Sequence, residues 1–569
     1  MYLGTVEYNP SIASQERPHT LLYAGPMRVA KPPRAAEVLN QPPPLEDYNL
    51  FEQDRVLSEA VAREGGGWGL DRLREFGAVV GGEPLRLGPV ADRNPPILRT
   101  HDRFGHRIDE IEFHPAWTRL LDLGIRAEIP SLPWRDPRPG AHVVRGALMY
   151  LLSQAESGVM CPLSMTYASI PTLRHAPEMA SEWEPRLMDP DPGRSALCGM
   201  AMTEKQGGSD VRANTTSAER VGDGLFELTG HKWFCSHPAC DAFLVLAQAP
   251  GGLSCFLLPR ELPDGSRNAG FQVVRLKDKL GTRALASSEV EFDGALAWPV
   301  GEEGRGVQTI IEMVNHTRLD CVLGSAAGMR RAVAEATHHA AYRSAFGRLL
   351  IDQPLMRNVL ADLCVESEAA TLLAVRLARS YDRGDESPDL RRAGTAVAKY
   401  WVCKRAAPLV AEALECLGGN GFVEESPMPR LLRDSPLNSI WEGSGNVIAL
   451  DVLRAFQKEQ GSFGALLVEA ELAKGLHPRF DAALDRAEAA VGQAVAEPDA
   501  APYLARRLVE RLALLLQGSL VLRHSPPFVA EAFLASRLAG DGGSAFGTLP
   551  AGLDCEAIIE RHRPRLASA

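Results

Sequence analysis

A glutamate flanked by apolar residues and glycines is the chain's clearest candidate for acid–base chemistry. Glu442 lies in the segment NSIWEGSGN, residues 438–446, directly before a predicted helix. Burial beside Ile440 and Trp441 would raise the pKa of this carboxyl, whereas a helix N-terminus would lower it. A glutamate whose pKa is shifted toward neutrality can act as a general base. A first-turn glutamate that only interacts with the helix dipole is an equally weighted alternative.

A glycine-rich polar loop is a candidate ligand cradle. The sequence GMAMTEKQGGSD occupies residues 199–210. Gly207 and Gly208 allow main-chain N–H groups to approach a ligand closely, and Thr203 and Ser209 add short hydrogen-bonding side chains. Composition alone favours the alternative, an ordinary polar loop.

The segment HKWFCSHPAC, residues 231–240, combines aromatic residues with histidines and cysteines. Their spacing does not match the ligand spacing of structural zinc sites, so a zinc site is disfavoured. Trp233 and Phe234 can instead form a flat wall for a planar ring, because aromatic side chains offer a large area with few torsions. Core packing is the alternative role for these two residues.

A further candidate follows a long predicted helix, where Arg343 and Phe346 precede Gln353. A guanidinium at such a corner can bind a phosphate with two hydrogen bonds, and a phenyl ring can offer its face to a base. An ordinary surface charge is the usual alternative, and the spacing does not decide between them.

Composition excludes several classes of protein. The chain has 569 residues, enough for several domains, and its formal net charge of −11 argues against a wholly basic surface for nucleic acid or anionic lipid. The ten cysteines show no CxxC pair, so we expect reduced thiols and a cytoplasmic location. The N-terminus lacks the pattern of a secretory signal, and no apolar run approaches the about 20 residues of a membrane span.

Hydrophobic periodicity predicts a multidomain α+β chain. Short β-rich runs without intervening helical periods favour an antiparallel barrel over a Rossmann sheet. Strands are predicted at residues 226–229, 242–248, 253–259, 271–276 and 288–292, and bundle helices at 307–342, 355–381, 393–417 and 446–456. The predicted domains are an extended arm (1–44), an N-terminal helical domain (45–195), a β-barrel (196–305), a four-helix bundle (306–456) and an appended helical domain (457–569).

From about Asn40 onward, the order and content of these segments resemble the acyl-CoA dehydrogenase superfamily. The blocks MTEKQGGSD, HKWF, YRSAFG, LGGNGF and WEGSGN carry the resemblance. Longer blocks such as NQPPPLEDYNLF and LLIDQPLMR are similar to its alkylation-response branch. The resemblance implies a helical N-terminal domain, a central antiparallel β-barrel and a C-terminal four-helix bundle, assembled as a homotetramer.

The resemblance also implies FAD as cofactor and assigns residues to it. Glu442 would remove the α-proton of an acyl thioester while the β-hydrogen leaves as hydride to the flavin, and Arg318 would lie beside the substrate. The base stays at Glu442 because Thr317 occupies the position from which a branched-chain subgroup takes its base. The residues implied in FAD binding are Met200, Met202, Thr203, Gly208, Ser209, Trp233, Phe234, Cys235, Ser236, Arg343, Phe346, Gln353, Glu415, Gly418, Gly419, Ile440, Ser444 and Asn446.

Two departures from the superfamily pattern bear on function. Glu415 stands where glutamine is frequent, so a cofactor phosphate contact is in doubt. The extension after residue 457 is similar to a domain linked to duplex DNA in the alkylation-response branch, yet it has 12 Lys plus Arg against 14 Asp plus Glu, a net charge of −2. Arg506, Arg507 and Arg511 can share a helix face, with pairing to Glu510 as the alternative.

The predicted function is therefore an FAD-dependent acyl-CoA dehydrogenase, and the alternative is a DNA-binding alkylation-response protein with vestigial dehydrogenase activity.

Overall fold

The computed structural model describes residues 38–382, 388–458 and 460–566. The chain divides into two compact units, Met1–Gln41 and Pro42–Ala569, and every element below belongs to the second. Residues 1–37 of the predicted extended arm lie outside the described residues.

Eight helices and one β-hairpin form the N-terminal part of the described chain. They are α1 (Arg55–Arg63), α2 (Leu70–Val80), α3 (Glu83–Arg93), β1 (Ile97–His101), β2 (Arg107–Glu112), α4 (Pro115–Arg126), α5 (Leu132–Arg135), α6 (Ala141–Ser153), α7 (Met160–Leu173) and α8 (Pro177–Leu187). Every residue of α6 is buried, as expected of a helix that is apolar all round. The hairpin was not predicted, because β1 has no buried residue and β2 has one, so no period-two apolar pattern marks them.

A seven-stranded closed sheet follows. Its strands are β3 (Cys198–Ala201), β4 (Ser217–Gly222), β5 (Leu225–Ser236), β6 (Ala242–Ala249), β7 (Gly252–Pro259), β8 (Phe271–Leu276) and β9 (Ser287–Val300). The order β3-β6-β4-β5-β9-β7 closes through a β6–β7 pairing, and β8 pairs with β9. The predicted barrel is confirmed and is mainly antiparallel, but β3 pairs in parallel with β6.

Long helices form the bundle beside the barrel. The elements are α9 (Gly306–Tyr342), β10 (Ser344–Ala345), β11 (Arg348–Leu349), α10 (Pro354–Arg379), α11 (Pro388–Cys416), α12 (Gly419–Phe422), α13 (Met428–Asp434) and α14 (Gly445–Lys458). Each predicted bundle helix coincides with α9, α10, α11 or α14 to within a few residues. Gly418 follows α11 with φ +60°, a conformation that glycine adopts without a Cβ clash.

The C-terminal segment packs on the bundle. It contains α15 (Gln460–Glu471), α16 (Pro478–Ala496), α17 (Ala501–His524), α18 (Pro527–Phe533) and α19 (Cys555–His562). α17 contacts α10, α11 and α14, and α19 contacts α10. Trp401 Nε1 donates to Gln517 Oε1 at 3.1 Å across the buried α11–α17 contact. The domain boundaries given above stay predictions. Among the described helices, none combines the length and apolarity needed to cross a membrane.

Candidate active site

Glu442 occupies a loop between α13 and α14. Its φ is +57°, a left-handed conformation that costs a residue with a Cβ about 1–2 kcal/mol, and Gly443 continues the turn with φ +109°. Because α14 begins at Gly445, Glu442 does not belong to its first turn. The alternative in which Glu442 is a first-turn residue is therefore wrong.

Among the described residues, the Glu442 carboxylate has one hydrogen-bond partner, a hydroxyl from α9. Thr317 Oγ1 donates to Oε2 at 2.8 Å. Burial raises the pKa of Glu442, and the Thr317 hydrogen bond and the charges of Arg318 and Lys399 oppose this rise without cancelling it. The carboxyl is thus a stronger proton acceptor than an ordinary glutamate.

Two cationic side chains bind the backbone around Glu442. Arg318 Nε donates to the Glu442 carbonyl at 3.0 Å. Lys399 Nζ donates to the carbonyls of Trp441 at 2.8 Å and Gly443 at 2.5 Å. These bonds fix the loop while leaving the carboxylate oxygens to Thr317. The family resemblance implies Arg318 as a substrate residue, whereas no sequence motif marks Lys399.

Asp451 holds the Arg318 guanidinium from α14. Arg318 Nη1 lies 2.9 Å from Asp451 Oδ2, and Arg392 Nη2 lies 2.8 Å from Oδ1. Burial alone would raise the pKa of Asp451, but the two arginines outweigh it and lower that pKa. The loop, α9, α11 and α14 are therefore joined through side chains that no local pattern relates.

A buried ion pair joins the glycine-rich loop to β5. Lys232 Nζ lies 2.7 Å from Glu204 Oε1, and both side chains are fully buried. Burial alone would raise the pKa of Glu204, but bonds from Lys232, Thr215 and Thr216 bring it to about 2. The sequence motifs did not reveal this pair, although TEK contains Glu204 and HKW contains Lys232. The Trp233 N–H also donates to the Thr203 carbonyl at 2.8 Å, so loop and strand are neighbours.

In the aromatic segment, the Trp233 ring packs against a lysine side chain. Lys277 Nζ lies 3.1 Å from the Trp233 ring centroid, within the range of a cation–π contact. Phe234 is half exposed and Ser236 half buried, whereas the Cys235 side chain is fully buried inside the barrel. Any contact of Cys235 with a ligand in the open part of the site would therefore involve its backbone.

Cys161, at the start of α7, connects this segment with Glu442. Cys161 lies close enough to Ser236 and to Glu442 for both groups to affect the pKa of its thiol. Burial raises the pKa of Cys161 to about 12, so it is present as the thiol. With ten cysteines scattered along the chain, no sequence signal singled it out. The Thr203–Trp233 hydrogen bond joins the glycine-rich loop to the aromatic segment, and Cys161 lies near both Ser236 and Glu442, so these two segments and the candidate base occupy one region.

The remaining predicted cofactor residues form a second group. Arg343 follows the last turn of α9, about 39 Å along the helix from Thr317 at about 1.5 Å per residue. Phe346 is fully exposed at the tip of the β10–β11 hairpin, and Gln353 Nε2 donates to the Ala345 carbonyl at 3.1 Å. Glu415, Gly418 and Gly419 are exposed at the far end of α11. Within one chain, the structure does not bring this group to Glu442.

The residues on either side of Glu442 remain accessible. Ile440 is 61% exposed, and Asn446 is exposed on the first turn of α14. Ser444 is half buried, and its carbonyl accepts from Ile448 N. On the loop side, Met200 and Met202 are half buried, Thr203 is half buried, and Gly208 and Ser209 are exposed.

Sequence profiles of known families match the chain in three consecutive stretches. Residues 40–191 match the adaptive response protein AidB N-terminal domain. Residues 199–295 match the acyl-CoA dehydrogenase middle domain, and residues 304–457 match the acyl-CoA dehydrogenase C-terminal domain. The chain therefore belongs to the acyl-CoA dehydrogenase family.

Individual relatives place it in the AidB-like branch. The chain is 46% identical to AidB of Escherichia coli over 520 residues, 89% of this chain and 95% of the relative. It is 32% identical to acyl-CoA dehydrogenase family member 11 of Caenorhabditis elegans, covering 80% of each chain. The crystal structure of C. elegans ACDH-11 in complex with C11-CoA superposes with a TM-score of 0.81 at 29% identity, covering 88% of this chain and 92% of that one.

Proposed function

We propose that the chain is an FAD-dependent acyl-CoA dehydrogenase in which Glu442 is the catalytic base. The observation that carries this proposal is a half-buried glutamate of raised pKa whose loop is fixed by cations, near the glycine-rich loop (199–210) and the aromatic segment (231–240). A similar solved protein, ACDH-11, is described in complex with C11-CoA, which supports an acyl-CoA substrate.

The residues present fit a planar cofactor. The half-buried Trp233 offers a rigid aromatic wall, and Thr203 and Ser236 beside it offer hydroxyls. At Gly208 a Cβ would lie 2.8 Å from Thr203 Cγ2, so a larger residue would push Thr203 out of this loop. A Bacillus anthracis acyl-CoA dehydrogenase complexed with FAD shares the fold at 17% identity. When bound, FAD supplies the two-electron oxidation by accepting the β-hydrogen as hydride.

The chain's own residues handle the proton. Glu442 accepts the α-proton of the thioester, and a carbon–carbon double bond forms between the α- and β-carbons as the β-hydrogen leaves with its electron pair. A thioester in the site displaces water, which disfavours the charged carboxylate and raises its basicity further. Thr317 orients Oε2 through its hydroxyl, so Oε1 is the oxygen that faces the substrate proton.

The second group of residues supports an assembly of several copies. Arg343, Phe346 and Gln353 lie at the end of α9, about 39 Å along that helix from Thr317, too far to serve the same cofactor as Glu442 within one chain. Hairpin residues that are fully exposed in one chain, such as Phe346, can instead contact a cofactor held mainly by another copy. We therefore propose a homotetramer in which each FAD is shared between subunits.

Anaerobic titration of the purified, FAD-loaded protein with acyl-CoA thioesters of different chain length and branching tests the activity. The expected result is loss of flavin absorbance with at least one thioester in the wild type and none in Glu442→Gln. Equal bleaching of both proteins would assign the base to another residue. A protein that binds no FAD on reconstitution would overturn the proposal.

A cluster of arginines on α16 and α17 favours a second candidate function, binding of duplex DNA. Burial lowers the pKa of Arg511, and the nearby charges of Arg507 and Arg486 lower it further. Arg506 lies beside them on α17, where Nε donates to the Tyr400 hydroxyl at 3.1 Å. Arginines held this close repel one another, and phosphate groups would relieve that repulsion.

Fluorescence anisotropy with a labelled duplex at increasing salt tests this second function. Expected is binding that weakens with salt, with a log–log slope that falls by about 0.9 for each of Arg507→Ala and Arg511→Ala. Arg194→Ala, which removes an exposed arginine paired with Asp189 on another part of the surface, is the matched control. Absence of binding at low salt would reject DNA as a ligand.

A further inference from the structure

Lys399 carries a buried charge without a carboxylate partner. The residue, on α11, is 1% exposed. No salt bridge to it is found within the described part of the chain, in contrast to the buried Lys232, which pairs with Glu204. Burial of an ammonium is costly unless hydrogen bonds satisfy it. Its ammonium donates to two main-chain carbonyls, those of Trp441 and Gly443.

These two carbonyls lie on either side of Glu442. Because a peptide unit is planar, a carbonyl that is fixed also fixes the N–H on the other side of its C–N bond. The Lys399 bond to Trp441 thus orients the Trp441–Glu442 peptide, and its bond to Gly443 orients the Gly443–Ser444 peptide. Arg318 fixes the carbonyl between them. Glu442 is held at a φ of +57° by these contacts, which offset the cost of that conformation.

The charged and titratable groups around Glu442 come from three elements. Arg318 and Cys321 lie on α9, Cys161 lies on α7 and Lys399 lies on α11. Both thiols have raised pKa values because they are buried, so they carry no charge at neutral pH. Arg318 has a carboxylate partner, Asp451 at 2.9 Å, which it shares with Arg392. Lys399 is therefore the cation near Glu442 whose charge no described carboxylate other than Glu442 offsets.

Resting on the function proposed above, we propose that Lys399 is the positioning residue of the catalytic base. It holds the Glu442 backbone in its left-handed conformation through two carbonyls, and its ammonium stabilises the ionised carboxylate without forming an ion pair with it. An ion pair would occupy the oxygen that must receive the proton. Through-backbone support keeps that oxygen available and still supplies the positive charge.

Three substitutions separate the two roles. Lys399→Met removes both the charge and the donors, Lys399→Gln keeps a donor without charge, and Lys399→Arg keeps both in a larger side chain. Lys474→Met, at an exposed lysine paired with Glu471 after α15, is the matched control. All are studied as the full-length, FAD-loaded protein.

Hydrogen–deuterium exchange of residues 437–446 measures positioning without any substrate. We expect faster exchange in this segment for Lys399→Met, with little change elsewhere, and smaller increases for Lys399→Gln and Lys399→Arg. Stopped-flow flavin reduction across a range of pH measures the charge. The acidic limb of the rate profile should move to higher pH in Lys399→Met and Lys399→Gln but not in Lys399→Arg, with a fall of tenfold or more at neutral pH for Lys399→Met.

The outcomes distinguish this inference from the function on which it rests. If no thioester reduces the wild-type flavin, the proposed function fails, and the exchange data still decide whether Lys399 holds the loop. If the wild type is active but Lys399→Met and Lys399→Gln retain its pH profile and its exchange pattern, the positioning role is refuted. Should Lys399→Met fail to fold, Lys399→Gln and Lys399→Arg give the same two readouts.

Discussion

Two glutamates, the half-buried Glu442 and the fully buried Glu368, use positive charge in opposite ways. Glu368 on α10 is bound at its carboxylate: the Arg561 guanidinium Nε lies 3.1 Å and the His562 imidazole Nε2 lies 2.9 Å from Oε2. Glu442 receives cations on its backbone, and its carboxylate is bonded only by the Thr317 hydroxyl among the contacts that the described residues make.

The pKa values of the two groups follow from this difference. Burial alone would raise the pKa of Glu368, but His562, Arg561 and Ser525 outweigh it and bring the pKa to about 2. Burial raises the pKa of Glu442, and the more distant cations only moderate the rise. A cation on the oxygen makes a glutamate a structural anchor, here for the C-terminal helix α19. A cation on the neighbouring carbonyl holds the glutamate in place and leaves it basic.

The largest expected effect is the loss of rate in Glu442→Gln. Removing a general base costs about 10²–10⁴-fold. Because no salt bridge among the described residues involves this carboxylate, we expect the melting temperature of Glu442→Gln to stay close to that of the wild type. Rapid-mixing measurement of flavin reduction checks the loss of rate, and thermal unfolding checks the melting temperature. A strongly destabilised Glu442→Gln would mean that Glu442 is also an anchor and would break the contrast.

Glu368→Gln should show the reverse pattern. It leaves Arg561 and His562 without their buried anionic partner, which costs about 3–5 kcal/mol of the free energy of unfolding. Flavin reduction by the folded protein should change little. Since the folded-state pKa of Glu368 is about 2, against an ordinary 4.5, its stabilisation is complete above about pH 4.5 and is lost as the pH falls toward 2. Chemical denaturation at pH 7 and pH 3 measures this: the difference between wild type and variant should shrink at pH 3.

Thr317→Val sharpens the comparison because it removes the Thr317 hydroxyl that donates to the Glu442 carboxylate. A hydrogen bond to a charged group is worth about 1.5–3 kcal/mol, and its loss disfavours the ionised form. The base must be ionised to act, so the acidic limb of the rate profile should move to higher pH, with a fall of about tenfold below its midpoint. Thr317→Ser, which keeps the hydroxyl, is the control. An unshifted Thr317→Val profile would show that the hydroxyl does not tune the base.

Ser525→Ala makes the equivalent change at Glu368 and should have the smallest effect. Ser525 Oγ donates to Glu368 Oε1 at 2.7 Å, but Arg561 and His562 still bind the carboxylate in its absence. We expect a loss of about 1 kcal/mol in the free energy of unfolding and no change in the pH profile of flavin reduction. A shifted pH profile would indicate that the two glutamates are coupled.

Much of the fold was predictable because its signals are local. Helices α9, α10, α11 and α14 carry apolar residues at three- and four-residue spacing, and the strands from β5 to β9 follow short apolar runs between turn residues. The β1–β2 hairpin was missed because its strands are largely exposed, and the parallel β3–β6 pairing was missed because a single short strand carries no information about its partner.

The candidate site was predictable only in part. Glu442, the glycine-rich loop and the aromatic segment lie in contiguous motifs, so their residues could be named from the sequence. Lys399, Cys161 and the Glu204–Lys232 pair were not, because a lysine or cysteine inside a helix or strand looks the same whether it faces a core, a loop or solvent. Thr317 was noticed only as the residue occupying another base's position.

By itself, the sequence determined which segments become helices and strands and which short motifs carry reactive groups, since both depend on neighbours a few residues apart. Only the tertiary structure decided that Glu442 meets Thr317 across 125 positions of sequence and that Lys399 and Arg318 bind its backbone and not its carboxylate. The physical reason is that these contacts depend on how α9, α11 and α14 are rotated and aligned when they bury their apolar faces together. If α9 or α11 were rotated so that Arg318 or Lys399 reached the Glu442 carboxylate, Glu442 would be a structural anchor like Glu368.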